Sequence, residues 1–455
     1  MTDPIQLEPW ERLDALLAAG DRDAIQAFLE MLAPTEAGRA LSRLSDESQG
    51  RVLALLDPEA AAHLLEPLSD AQAADLIEEL PPAQAAAIVD ELPSADQADV
   101  LAELDPAGAE AILERMEPEE AADARLLLGY PADTAGGIMI TEYLAYPEHW
   151  TVADVTRDLR THGAHYSDFE VQYAYITSAT GALVGVLRVR DLLLAGADAP
   201  VDAIMLRAPL SVSVSASLHD LEQFFDEHAF LGVPVIDARE VLVGVVRRTA
   251  VEEALGEEAT ATFLKVSGLI GEEELRSMPL ARRSLRRLSW LSINIGLNIV
   301  AASVIALYQD TLAAVIALAV FLPIISDMSG CSGNQAVAVS IRELSLGLVK
   351  PYELLRVFLK EGGVGLINGL ALGALLGAAA FAWKGNVYLG LVVGTALMLN
   401  TCLAVLLGGL IPLGLKRLKL DPALASGPIL TTVTDMCGFF FVLSFATAVL
   451  SRLTV

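Results

Sequence analysis

Five apolar segments follow one another after residue 288, at about 289–308, 311–330, 358–383, 387–413 and 428–451. Each approaches or exceeds the ~20 residues that an α-helix needs to cross a bilayer. In lipid, every backbone polar group must find its partner inside the protein, so this run predicts an all-α bundle. Arg342, Lys350, Arg356 and Lys360 follow the second segment, and Lys416, Arg417 and Lys419 follow the fourth. The opposite loops hold only Lys384, and five arginines (Arg276, Arg282, Arg283, Arg286 and Arg287) precede the first segment. The positive-inside rule then predicts a cytosolic N-terminus, cytosolic basic loops and an outside C-terminus.

Charge divides the chain at the same place. Residues 1–288 hold 52 acidic and 21 basic side chains, a net of −31, whereas residues 289–455 have a net of +2. An acidic soluble half therefore precedes a nearly uncharged apolar half. That balance argues against nucleic acid, because phosphate binding needs clustered Lys and Arg. It suits a surface that attracts cations. Cys331, Cys402 and Cys437 lack zinc-like spacing, so neither a structural disulfide nor a metal cluster is expected. Met1 to Pro9 lacks an apolar core, which argues against a cleaved signal peptide.

The first 130 residues carry a twelve-residue repeat. Leu44, Leu56, Leu68, Leu80, Leu92, Leu104 and Met116 recur at that period, each followed by turn or N-cap chemistry such as Ser45-Asp46 or Asp57-Pro58. Eight positions after each anchor stands a second small or apolar residue, Val52, Leu64, Leu76, Ile88, Val100, Ile112 or Ala124. Asp or Ser caps a helix, and Pro is tolerated in its first turn. Helices of about nine residues cannot stand alone, but stacked neighbours can bury a shared core, so the pattern predicts a small α-helical solenoid.

Residues 136–256 read as two similar α/β units. The first runs from Ile138-Met139 through a helix opened at Thr151, a strand at 172–176 and a strand at 181–187. The second runs from Ile204-Met205 through a helix at 217–225, then strands at 233–237 and 241–246. This duplicated order resembles a tandem pair of cystathionine-β-synthase (CBS) domains. That family often binds adenine nucleotides through a hydroxyl residue and an Asp after the last strand. Here Arg188 and Asp191 stand at those positions in the first unit, and Arg247 and Ala250 in the second. Neither unit has the full motif, so nucleotide binding is not expected. Beyond the pair, Leu275, Met278 and Leu285 suggest an amphipathic connector interrupted near Pro279.

Polar side chains interrupt the apolar segments: Asn294, Asn298, Asp327, Glu361, Asn368, Asn400 and Thr401, then Thr431, Thr432, Thr434 and Asp435. Asn and Thr at membrane depth are commonly helix–helix glue. A carboxylate there costs about 2.5–3.5 kcal/mol even on lenient scales, so Asp435 points to function. Thr431 and Asp435 share a helix face at i and i+4. Oxygen-bearing side chains are what a hard cation needs when it sheds part of its water. The segment reads as the wall of a cation pathway. The run Ser329-Gly330-Cys331-Ser332-Gly333-Asn334-Gln335 ends the second segment and is expected to place backbone carbonyls beside that pathway.

The full order resembles the MgtE family of bacterial magnesium channels and transporters. The motifs that carry the likeness are Tyr130 through Met139, Gly333-Asn334-Gln335, and Asp421-Pro422 through Asp435 and Gly438. The resemblance implies a multidomain chain: a helical-repeat N domain at 1–130, a tandem CBS pair at 131–258, a connecting plug helix at 259–288 and a five-helix transmembrane domain at 289–455. It implies a homodimer in the inner or plasma membrane of a bacterium, lipid around it, and one magnesium pathway at the dimer interface. Asp435 would hold the hydrated ion, with Thr431, Thr432, Gly333, Asn334, Gln335 and Asn400 along the pathway. The family's cytosolic domains are thought to sense magnesium through acidic surfaces, for which Glu253 and Glu258 are the candidate ligands. The chain departs from the family at Thr249-Ala250, at Ala261-Thr262, and at Ser329 and Cys331. Alternatives within the same reading are another divalent cation (cobalt or manganese) or a secondary carrier. An enzyme is not expected, since no nucleophile–base pair, phosphate loop or zinc motif is present.

Overall fold

The computed structural model describes residues 8–163, 166, 169, 172–269 and 280–454. It divides into two compact units, one ending at Glu258 and the other beginning at Ala259. The connector positions Leu275, Met278 and Pro279 lie outside the described residues.

In the first unit the twelve-residue period is visible as helix starts. Helices Pro34–Leu41, Asp46–Leu55, Pro58–Leu65, Asp70–Glu78, Pro82–Val89, Ser94–Glu103, Pro106–Leu113 and Pro118–Leu127 begin twelve residues apart throughout. Two further helices, Pro9–Ala19 and Arg22–Glu30, precede them. Pro fills the first helical position in five of these eight helices, and Ser45 and Asp105 accept the backbone N–H three residues on. Each helix packs on the next but one, so two rows stack side by side. The second residue set is wholly inside: Val52, Leu64, Leu76, Ile88, Val100, Ile112 and Ala124 are all buried. Burying one such aliphatic chain is worth about 1.5–3 kcal/mol, which is what lets helices of eight to ten residues persist.

The α/β part contains strands β1 (Leu144–Pro147), β2 (Tyr173–Thr177), β3 (Leu183–Arg188), β4 (Leu206–Arg207), β5 (Val212–Ser213), β6 (Gly232–Ile236) and β7 (Leu242–Arg247). They form a β1-β2-β3-β4 sheet and a β5-β6-β7 sheet. In each sheet the first pair is parallel and the second antiparallel, with the same bulge before the last residue of the shared strand. The openings of the two repeats are exchanged. Ile140 bridges to Val245 on β7, and a Cβ on Gly244 would lie 2.5 Å from the Met139 sulfur. Symmetrically, a Cβ on Gly185 of β3 would lie 2.3 Å from the Met205 sulfur. The glycine in each last strand is therefore the gap into which the other repeat's methionine fits.

The second unit is helical: Leu280–Leu307, Gln309–Ala314, Leu318–Ser345, Leu354–Lys384, Val387–Arg417, Pro422–Ala448 and Leu450–Leu453. Among the described residues, four helices are long and apolar enough to cross a membrane, at Arg283–Leu307, Leu354–Lys384, Val387–Arg417 and Pro422–Ala448. The second apolar segment differs from expectation. Its stretch 311–330 is split, with a short helix ending at Ala314 and a 28-residue helix starting at Leu318. That long helix carries Asp327, Asn334, Gln335, Arg342 and Glu343, which lower its hydropathy. The Ser329–Gln335 run does not break it either. The helix is continuous there, so its carbonyls belong to the helix rather than lying free beside a pathway.

The Leu354–Lys384 and Val387–Arg417 helices meet along a glycine seam. A Cβ on Gly373 would sit 2.5 Å from the Gly394 carbonyl oxygen, and one on Gly394 would sit 2.6 Å from the Gly373 carbonyl oxygen. Gly369 faces Met398, and Gly377 faces Gly390, in the same way. Small residues let backbones approach where no hydrophobic force drives helices together.

Candidate functional site

The Pro422–Ala448 helix begins with strong local chemistry. Asp421 is its N-cap, accepting the Ala423 N–H at 2.8 Å, and Pro422 occupies the first helical position. Pro428 then sits inside the helix and supplies no N–H. The threonines gather around that defect. Thr432 Oγ1 donates to the Pro428 carbonyl at 2.7 Å, and Thr431 Oγ1 donates to the Gly427 and Pro428 carbonyls at 3.1 and 3.2 Å. Their hydroxyl protons are spent on their own helix, and each oxygen keeps lone pairs for a water or an ion.

One turn further on, Asp435 is half-buried, and its Oδ1 accepts a 2.5 Å hydrogen bond from Ser326 Oγ on the Leu318–Ser345 helix. Along the same two helices Gly333 packs against Leu430, where a Cβ would lie 2.8 Å from a leucine methyl. Residue 326 is thus level with 435 and residue 333 with 430, so the helices run antiparallel. Gly333 also lies close to Gly408, whose Cβ would sit 2.2 Å from the Gly333 carbonyl oxygen.

The remaining pathway candidates separate into two groups. Asn334 and Gln335 are exposed, on the uncovered side of their helix, as is Asp327. Asn400 is fully buried, and neither atom of its amide has a hydrogen-bond partner. It lies against the Pro422–Ala448 helix, since a Cβ on Gly438 would be 2.7 Å from the Asn400 side-chain nitrogen. Thr401 and Ser329 are likewise buried with unpartnered hydroxyls. Ser326 was not anticipated. A serine inside an apolar run carries no signal of its own, and its acceptor is 109 residues away.

Glu253 and Glu258 are exposed on the Arg248–Val266 helix. Among the described residues, no group of three or more His, Cys, Asp or Glu side chains is placed to hold a metal ion. The acids that do draw together are others. On the Ser94–Glu103 helix, burial pushes the Asp99 carboxyl up to about 7, with Asp70, Asp96, Glu257 and Glu103 adding repulsion. Burial pushes Asp96 up to about 6, with repulsion from Asp70, Glu66 and Glu142 and an opposing pull from Arg247. In sequence these aspartates were indistinguishable from the solvated acids of the neighbouring repeats. At the first nucleotide-motif position, Arg188 Nε donates to Asp191 at 2.6 Å, so both residues are engaged with each other.

Comparison with known proteins fits this organisation. The family model described as "Divalent cation transporter" (MgtE) matches residues 322–445, the MgtE intracellular N domain matches 32–133, and a CBS domain matches 201–257. The chain is 35% identical over 328 residues to the magnesium transporter MgtE of Thermus thermophilus, covering 71% of this chain and 72% of that protein. It is 31% identical over 334 residues to the MgtE of Bacillus subtilis, covering 73% of each. Among solved structures, the soluble part of a magnesium transporter superposes with a TM-score of 0.50 at 26% identity, covering 55% of this chain and 98% of that one.

Proposed function

Because the chain belongs to the MgtE family, we propose that it carries magnesium across a cell membrane with the Asp435 carboxylate as the ion's contact point. Magnesium transport is the activity of its curated relatives, and the four long apolar helices agree with a multi-pass membrane protein. The observation that carries the reading is a single carboxylate, half-buried and oriented by a hydroxyl from a second helix, inside an otherwise uncharged helix. Magnesium demands octahedral oxygen coordination and dehydrates reluctantly, so it keeps waters and needs only one or two carboxylates. Two copies of Asp435 across a two-fold axis meet that need, which is the basis for proposing a homodimer with the pathway between its chains.

In this scheme Thr431 and Thr432 present hydroxyl oxygens on the approach to Asp435. Asn334 and Gln335 face the uncovered side of their helix, and Gly333 lets that helix sit close. Asn400 backs the wall behind Gly438. The domains follow as an N domain at 1–130, a CBS pair at 131–258, a plug helix at 259–288 and a transmembrane domain at 289–455, with a cytosolic N-terminus and an outside C-terminus. The acidic cytosolic half, Glu253 and Glu258 included, would act as the magnesium sensor, because divalent ions screen repulsion among acids and favour a closed assembly.

The test is magnesium-dependent growth and uptake in a bacterium lacking its own magnesium transport, comparing the intact chain with Asp435→Asn at equal membrane abundance. Rescue by the intact chain and loss with the variant are expected. Full rescue by Asp435→Asn would remove this carboxylate from the mechanism.

A further inference from the structure

We propose that Ser326 is a selectivity-determining positioning residue: by donating its hydroxyl to Asp435 Oδ1 it holds that carboxylate to one-oxygen contact and thereby favours hydrated magnesium over calcium. The proposal rests on the reading of Asp435 as the ion's contact point.

A serine in a helix has an easy alternative, which is to bond back to the carbonyl three or four residues earlier. The hydroxyls around Asp435 on its own helix take that option. Thr431, Thr432 and Thr434 all donate to carbonyls of the Pro422–Ala448 helix. Ser326 instead reaches across to the facing helix and ends on the carboxylate. A hydrogen bond to an ionised group is stronger than one between neutral groups, so this contact holds one of the two carboxylate oxygens. The packing around the contact holds the serine in place. Ile325, the preceding residue, is fully buried, and Gly438, one turn beyond Asp435, packs on Ile325 and Asn400.

The chemical consequence follows from which oxygen is taken. Calcium accepts six to eight oxygens in flexible geometry and readily takes both oxygens of one carboxylate. Magnesium keeps its waters in an octahedron, and a carboxylate meets it through one oxygen or through its waters. With Oδ1 engaged by Ser326, Oδ2 remains to accept from a hydrated ion. An ion seeking both oxygens must first break the serine bond. That requirement penalises calcium and leaves magnesium nearly untouched.

The test uses the full chain in proteoliposomes or transport-deficient cells. Magnesium uptake and its inhibition by calcium are measured for the intact protein, Ser326→Ala, Ser326→Thr and Asp435→Asn. Ser326→Ala should let calcium compete with magnesium about tenfold better, the size of one hydrogen bond to a charged group, whatever the change in magnesium uptake itself. Ser326→Thr, which keeps the hydroxyl, should restore the intact ratio. An unchanged calcium-to-magnesium ratio in Ser326→Ala, or an equal loss for both ions, would overturn the proposal while leaving the role of Asp435 standing. Full uptake by Asp435→Asn would overturn both.

Discussion

Both carboxylate oxygens of Glu142 are taken by Ser94, the backbone N–H reaching Oε1 at 2.6 Å and Oγ reaching Oε2 at 2.6 Å. Ser94 is the first residue of a repeat helix, and its Oγ also accepts the Thr141 N–H at 3.0 Å. One glutamate from the α/β part therefore caps a helix of the solenoid, where the positive end of the helix dipole favours an anion.

Glu142→Ala leaves that helix end without its acceptor. The expected cost is about 1.5–3 kcal/mol, typical of hydrogen bonds to a charged group. The check is thermal or denaturant unfolding of the purified chain, with Glu142→Gln falling between the variant and the intact protein. A variant as stable as the parent would show that water replaces the cap.

Asp99 and Asp96 give the first unit a pH dependence of definite sign. Their folded-state values, about 7 and about 6, lie above the ordinary 3.8, so the folded chain holds these protons more tightly than the unfolded one. Their contribution to stability is greatest below about pH 4 and is lost as pH rises to about 7. Melting temperature should therefore fall between pH 5 and pH 8, and Asp99→Asn should flatten the curve and gain about 1–2 kcal/mol at pH 8. Millimolar magnesium should raise the melting temperature at pH 8 more than at pH 5. A parallel response at both values would detach these acids from cation sensing.

Gly373→Ala inserts a methyl 2.5 Å from the Gly394 carbonyl oxygen. Overpacking of this kind costs about 1–3 kcal/mol. The expected result is a lower unfolding midpoint in detergent, whereas Gly363→Ala on the same helix, where a Cβ meets nothing within 4 Å, should leave the midpoint unchanged or raise it, since alanine is the better helix former. Equal effects at the two positions would assign the loss to something other than the seam.

Lys265 Nζ lies 3.4 Å from Asp421 Oδ2, with both side chains over one-third exposed. A pair so hydrated is worth about 0.2–1 kcal/mol. A double-mutant cycle with Lys265→Met and Asp421→Asn should give coupling in that range, shrinking at high salt. Asp421→Asn alone should cost little, because asparagine caps a helix as well as aspartate does.

The solenoid was legible because one short repeat sets both the caps and the buried positions, and each helix start falls where the Ser, Asp and Pro residues placed it. The strand order of the CBS pair was legible too. The exchange of Met139 and Met205 between repeats was not, since local patterns do not say which copy of a strand a segment joins. The glycine-rich run at 329–335 misled for a physical reason: glycine weakens an isolated helix, but here Gly333 gains close contact with Gly408 and Leu430 that a larger residue would forbid. Asp435 stood out as the one carboxylate of its apolar segment. Its hydroxyl donor did not, because that pairing exists only once two distant helices are folded together.

The seam between Gly373 and Gly394 also restricts movement. Each backbone occupies the space that the other lacks a Cβ to fill, so turning either helix about its axis to bring Ala374 or Thr395 onto the seam would set a Cβ against a carbonyl oxygen. The two helices are keyed to present one face to each other, the face on which the glycines recur every fourth residue. Rotation of one helix against the other is therefore opposed at each close glycine contact of the seam.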